Sequence, residues 1–184
     1  MKHKDRLKAL GIDNFYCQGI LEKNDYGEWM FYDEENKESY YLTDIEAPFE
    51  CKLNGVWEKV KIKNDYFRTT TNVISMKTGM KVRFQRTYMY AYELLLEELN
   101  DGAFFSLVKG LSKFHYTLYH CIYCHNFLLF QNERNATGVN FMIFDNKEIV
   151  CQVQHFFERQ QETTVDRFIF TLSTGEYYSI EFRD

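Results

Sequence analysis

KVRFQRTYMYAYELLLEELN, residues 81–100, changes its hydrophobic period in mid-stretch. Up to Arg86 the apolar residues Val82 and Phe84 alternate with polar ones, the pattern of a half-buried strand. From Thr87 onward Tyr88, Tyr92, Leu95, Leu96 and Leu99 recur on one side, with Glu93, Glu97 and Glu98 on the other, as on an amphipathic helix. Charge shifts at the same place. Residues 1–86 carry 15 basic and 14 acidic side chains, whereas 87–184 carry 7 and 13. Both changes put an organisational boundary near residue 86, dividing the chain into parts 1–86 and 87–184.

Working back from that boundary, the dominant period is two. Candidate strands are 15–23, 28–35, 38–45, 49–53, 56–63, 66–71 and 81–86, preceded by a short helix over residues 2–10 that stops at Gly11. Asn54-Gly55 between two alternating runs is the firmest turn, because both central residues of a type I′ hairpin need positive φ. Short strands at this spacing predict a small antiparallel barrel of SH3-like type.

Working forward, Asn100-Asp101-Gly102 ends the first helix and offers a cap for the next. The run from Ala103 to Arg134 is apolar nearly all round and predicts a buried helix interrupted by Gly110. Strands at 139–144, 149–157, 165–172 and 177–182, joined by short polar turns, predict a four-stranded antiparallel meander laid on the helices. The fold class expected is therefore α+β.

Composition excludes several classes. Hydrophobic content of 45% and charged content of 27% suit a globular chain, so long disorder is not expected. The aromatic share of 18% supplies large buried area and need not mark a binding surface. No run of 18 apolar residues suggests a membrane span, and the charged amino terminus lacks the apolar core of a signal peptide. Five scattered cysteines then imply reduced thiols and a cytoplasmic location. A net charge of −5 argues against nucleic acid as the main partner.

His120-Cys121-Ile122-Tyr123-Cys124-His125 is the densest chemistry in the chain. Its C-x-x-C-H matches the attachment pattern of c-type haem, which normally forms in an exported protein. Thioredoxin-like chemistry wants C-x-x-C at a helix N-terminus, whereas this one falls well inside the expected helix. Zinc is the sharper option. On a helix Cys121 and Cys124 lie about 60° apart, with His125 and His120 each about 40° from one of them. Cys121, Cys124, His125 and His120 are thus the candidate metal ligands, with zinc the possible cofactor. Cys151 or His155 could add one ligand but not two, being about 13 Å apart along a strand. The favoured reading is packing, since Thr117, Cys121, Cys124 and Leu128 form a small apolar stripe and free cysteine buries readily.

Lys59, Lys61 and Lys63 line one strand face, and Lys81 and Arg83 another. Were those strands neighbours, a basic nucleic-acid-binding face would result; ordinary solvation is the favoured alternative. No G-x-S-x-G, P-loop or H-E-x-x-H occurs, so an enzyme is not indicated.

The runs YAYELLLEELNDGAFFSLV, CIYCHNFLLF, GVNFMIFDN and DRFIFTLSTGE resemble a family of proteins of unknown function from Bacillus and related spore-forming bacteria. The stretch around LNGVWEKVKI and GMKVRF is similar to small β-barrel domains in the same bacteria. The resemblance implies a cytoplasmic bacterial protein and no particular activity. The function expected is a non-enzymatic protein-interaction or regulatory module, with a protein partner or a homo-oligomer. Metal binding, or weak nucleic-acid binding through the basic face, is the alternative.

Overall fold

The computed structural model describes residues 3–12, 15–131, 135–160 and 163–184. The chain divides into two compact units, Asp13–Thr87 and a discontinuous one made of Met1–Ile12 with Tyr88–Asp184. No helix among the described residues is long and apolar enough to cross a membrane.

Unit Asp13–Thr87 is one antiparallel sheet. Its strands are β1 (Tyr16–Lys23), β2 (Trp29–Asp33), β3 (Glu38–Tyr41), β4 (Phe49–Leu53), β5 (Val56–Lys63), β6 (Tyr66–Arg68), β7 (Val73–Ser75) and β8 (Lys81–Gln85), in spatial order β3-β2-β1-β8-β4-β5-β6-β7. Seven of these answer to expected strands, and the three-residue β7 was not anticipated. Strand β5 serves two ladders: Val56–Val60 pair with β4, and Lys61–Lys63 with β6. The alternating inward residues Leu21, Phe31, Cys51, Phe67 and Val82 meet in its core. Asn54 and Gly55 both take positive φ, 49° and 86°, as a type I′ hairpin requires. No pairing among the described residues joins β3 to β7, so the ladder stays open rather than closing as a barrel.

Among the described residues the second unit has three α-helices, α1 (His3–Ala9), α2 (Tyr90–Glu98) and α3 (Asp101–Lys113). With them goes an antiparallel sheet of β9 (Cys121–His125), β10 (Ala136–Asp145), β11 (Val150–Arg159), β12 (Thr164–Leu172) and β13 (Tyr177–Arg183), ordered β13-β12-β11-β10-β9. The expected four-stranded meander is present, with β9 added at its far edge. Helix α1 docks through Arg6, whose guanidinium donates to the carbonyls of Leu96 and Leu99 at 2.9 Å each and lies 4.4 Å over the Phe104 ring. Those carbonyls belong to the end of α2, where backbone acceptors lack helical partners. Arg6 is thus a cap supplied from the far end of the chain.

Helix α3 begins where the sequence predicts. The Asn100 side chain accepts the Ala103 N–H at 2.8 Å. It does not continue to Arg134. After Lys113, His115 takes φ of 61°, its N–H returns to Ser112, and the Tyr116 N–H returns to Leu111. This is a Schellman ending with histidine in the left-handed position that glycine usually fills. A single 3₁₀ turn follows at Leu118–His120, capped by Thr117 and by the His120 ring, and Cys121–His125 then runs as a strand. The expected helix through the Cys–His segment is therefore corrected to a strand as far as the chain is described; residues 132–134 of that run lie outside the described residues.

Candidate functional site

Strand geometry redistributes the proposed metal ligands. On a regular strand Cys121 and Cys124, three residues apart, would point to opposite faces. A bulge prevents this. Cys121 pairs with Phe144 and Tyr123 with Ile143, leaving Ile122 as the extra residue, and Cys124 pairs with Met142. Phe144 and Met142 both face the core, so both thiols face it too. His125 pairs with Phe141 on the exposed face, away from the thiols. The Nδ1 of His120 accepts the Thr117 N–H at 3.1 Å. The structure therefore brings Cys121 and Cys124 together and leaves the two histidines elsewhere. Among the described residues no three His, Cys, Asp or Glu side chains converge as a metal cluster.

The thiols look toward α2. The Tyr92 ring packs edge-on to Phe144 at 5.9 Å and to Tyr88 at 5.6 Å, and Tyr88 stacks on Tyr119 at 4.7 Å. Tyr92 is fully buried and its hydroxyl makes no hydrogen bond among the described residues. Burial first, then Cys121 and Tyr88 and after them Cys124, hold that hydroxyl well above its ordinary pKa. Burial likewise pushes Cys121 and Cys124 up to about 12, with Cys121 also raised by Cys124. Both are protonated at neutral pH, and the Cys121 thiol donates to the Tyr123 carbonyl at 3.2 Å.

A second constellation lies inside the sheet. The Asn140 carbonyl oxygen accepts the N–H groups of Phe127 and Leu128 at 2.7 and 3.1 Å, which turns its amide NH₂ toward His155 Nδ1 at 3.0 Å. His155 Nδ1 must then accept, and Nε2 carries the proton that it donates to Asp166 Oδ1 at 2.7 Å. Arg159 donates to the same oxygen at 2.6 Å. Asn140, His155 and Asp166 are all fully buried. Burial outweighs the Asp166 charge and lowers the His155 pKa, while His155 and Arg159 hold Asp166 below its usual range despite burial. The row resembles an acid–base relay in composition, yet it is enclosed, and it locks the segment after β9 to three strands. The sequence carried a signal for it. Asn140, His155 and Asp166 each occupy an inward position of an otherwise apolar alternation, such as Cys151-Val153-His155-Phe157.

The basic strands are not neighbours. Strand β4 separates β5 from β8 and places Glu50 opposite both Lys59 and Arg83. Arg83 bonds Glu50 at 2.6 and 2.7 Å and lies over the rings of Tyr16 and Trp57 at 4.0 and 4.4 Å. The continuous basic face expected if Lys59, Lys61 and Lys63 adjoined Lys81 and Arg83 is thus interrupted by a carboxylate.

Comparison with known proteins adds kinship. No solved structure matches. The chain is 30% identical over 131 residues to the uncharacterised protein YisN of Bacillus subtilis, covering 71% of this chain and 67% of that protein. The profile of the family described as "protein of unknown function (DUF2777)" matches residues 6–182, from within α1 to within β13, and so includes the Cys–His strand. The chain belongs to the DUF2777 family.

Proposed function

We propose that the protein is a cytoplasmic, non-enzymatic interaction module that pairs with a second copy of itself through strand β13. The observation that carries this is a contrast between sheet edges. Unpaired strand edges invite pairing and are usually blunted by shortness, bulges or charge. At the ends of the first sheet, β3 has four residues and β7 three. At one end of the second, β9 carries the bulge at Ile122. Strand β13 runs seven residues in unbroken register with β12 and contains neither proline nor lysine. Its inward residues Tyr178, Ile180 and Phe182 alternate with exposed Tyr177, Ser179, Glu181 and Arg183.

A two-fold axis at Ile180 would set Ser179 opposite the partner's Glu181 and Tyr177 opposite the partner's Arg183, keeping apolar residues on one face. The enclosure of the His155 row supports a non-catalytic role, since no substrate reaches it. The cytoplasmic reading rests on the scatter of five cysteines, and an SH3-like reading of Asp13–Thr87 on the way β5 is shared between the β4 ladder and the β6 ladder. The test is mass measurement by light scattering at micromolar concentrations. A dimer is expected. Ser179→Glu places like charges together and should yield monomer, whereas Ser179→Lys faces the partner's Glu181 and should remain dimeric. A wild-type monomer, or two variants that behave alike, would overturn the proposal.

A further inference from the structure

We propose that Cys121 and Cys124 form a two-coordinate site for a soft monovalent cation, Cu(I) or Ag(I), with the Tyr92 hydroxyl donating a hydrogen bond to a ligating sulfur. The reading is independent of self-association through β13. Thiolates select soft ions, and a dithiolate completes the shell of a d¹⁰ monovalent cation where zinc would need four ligands. Among the described residues no third ligand converges on the pair, a donor set that suits this ion rather than zinc.

Three observations converge on it. The bulge at Ile122 puts both sulfurs on the inward face, opposite Met142 and Phe144. Those two positions are one strand repeat apart, about 6.6 Å, a span that two Cβ–S arms can close on a single ion. Tyr92 stands against Phe144, the residue paired with Cys121, and its buried hydroxyl lacks a partner among the described residues. A buried polar group without a partner costs about 1–3 kcal/mol unless something arrives to receive it. A thiolate sulfur is such an acceptor and a thiol is a poor one. Access is available as well, since both cysteines are partly exposed on an edge strand, unlike buried Cys17, Cys51 and Cys151. Hydrogen-bonding partners behind a ligand commonly set its affinity, the part proposed for Tyr92.

The step is a plain exchange. Each thiol loses its proton to solvent, two S–metal bonds form, and no electron moves. With two protons released per ion, apparent affinity should rise by about 100-fold per pH unit.

The experiment titrates the reduced full chain with Ag(I), and anaerobically with Cu(I), against a competing chromogenic chelator. Expected are one ion per chain, a thiolate-to-metal absorption band, and protection of Cys121 and Cys124 from alkylation. Cys121→Ala and Cys124→Ala should each abolish the band, His120→Ala and His125→Ala should preserve it, and Tyr92→Phe should weaken binding about tenfold. Less than a tenth of an equivalent bound, an unchanged band in the double alanine variant, or protection mapping to Cys17, Cys51 or Cys151 would overturn it. The alkylation map reads the unmodified sequence, so it decides even where a variant folds poorly.

Discussion

At the scale of single residues, His155 and Asp166 show how a polar row survives inside a sheet. Asp166→Ala takes the acceptor from the buried His155 N–H and from one N–H of Arg159, and leaving a buried donor unsatisfied costs about 1–3 kcal/mol. Urea denaturation should show this loss. Acid should weaken the same row. The His155 pKa lies below its ordinary 6.5, so its contribution is complete above that pH and is lost as pH falls toward the lowered value. Asp166 lies below its ordinary 3.8, so its contribution fades at lower pH still, as pH falls through the lowered value. Stability of the wild type should therefore fall on acidification from pH 7, with a weaker dependence just below pH 6.5 in His155→Gln. Denaturation midpoints measured between pH 4 and 7 would check the sign. These residues were legible only in part. Strand alternation is a signal that could have placed them inward, but their joining depends on registers between three strands, which no local pattern states.

Among elements, the strands were read well because period two and turn chemistry are local properties, as Asn54-Gly55 illustrates. The Cys–His segment was misread for a nameable reason. Helices usually announce their end with glycine, and here His115 takes the left-handed position, so apolar periodicity seemed to run on through Cys121. A non-glycine residue at that φ is strained by about 1 kcal/mol. His115→Gly should accordingly raise stability by a fraction of that figure after the added freedom of the unfolded chain is subtracted, measured as an upward shift in Tm. Gly110 gives the opposite lesson. In an exposed helix, alanine in place of glycine gains about 1 kcal/mol. Here a Cβ on Gly110 would come within 2.1 Å of the Phe170 ring, and on Gly102 within 2.1 Å of Phe182. These two glycines are the seats on which α3 rests against β12 and β13. Gly110→Ala should destabilise by about 1–3 kcal/mol, overpacking outweighing propensity, and calorimetry would report it as a lowered Tm.

For the whole molecule, the compact units change over at Thr87–Tyr88, and α1 groups with Tyr88–Asp184. Hydrophobic period could find α1, whereas its destination rests on one arginine reaching two carbonyls 90 and 93 residues away. A chain of 88–184 alone thus lacks both the Arg6 cap and buried Leu7. Joining residues 1–12 to 88–184 through a flexible glycine-serine linker should restore several kcal/mol relative to that fragment, since burial of Leu7 alone is worth about 1.5–3. Hydrogen exchange at the end of α2 would register the difference. The same discontinuity sets a schedule for the newborn chain. Ribosomes add about 5–20 residues per second, so Arg6 and Leu7 emerge about 5–20 s before the Leu96 and Leu99 carbonyls exist to receive them. Asp13–Thr87 can complete its sheet during that wait. Closure of α1 onto α2 is then delayed in biosynthesis, and Arg6 and Leu7 remain an unsatisfied cation and an open leucine, within reach of chaperones, until α2 has been made.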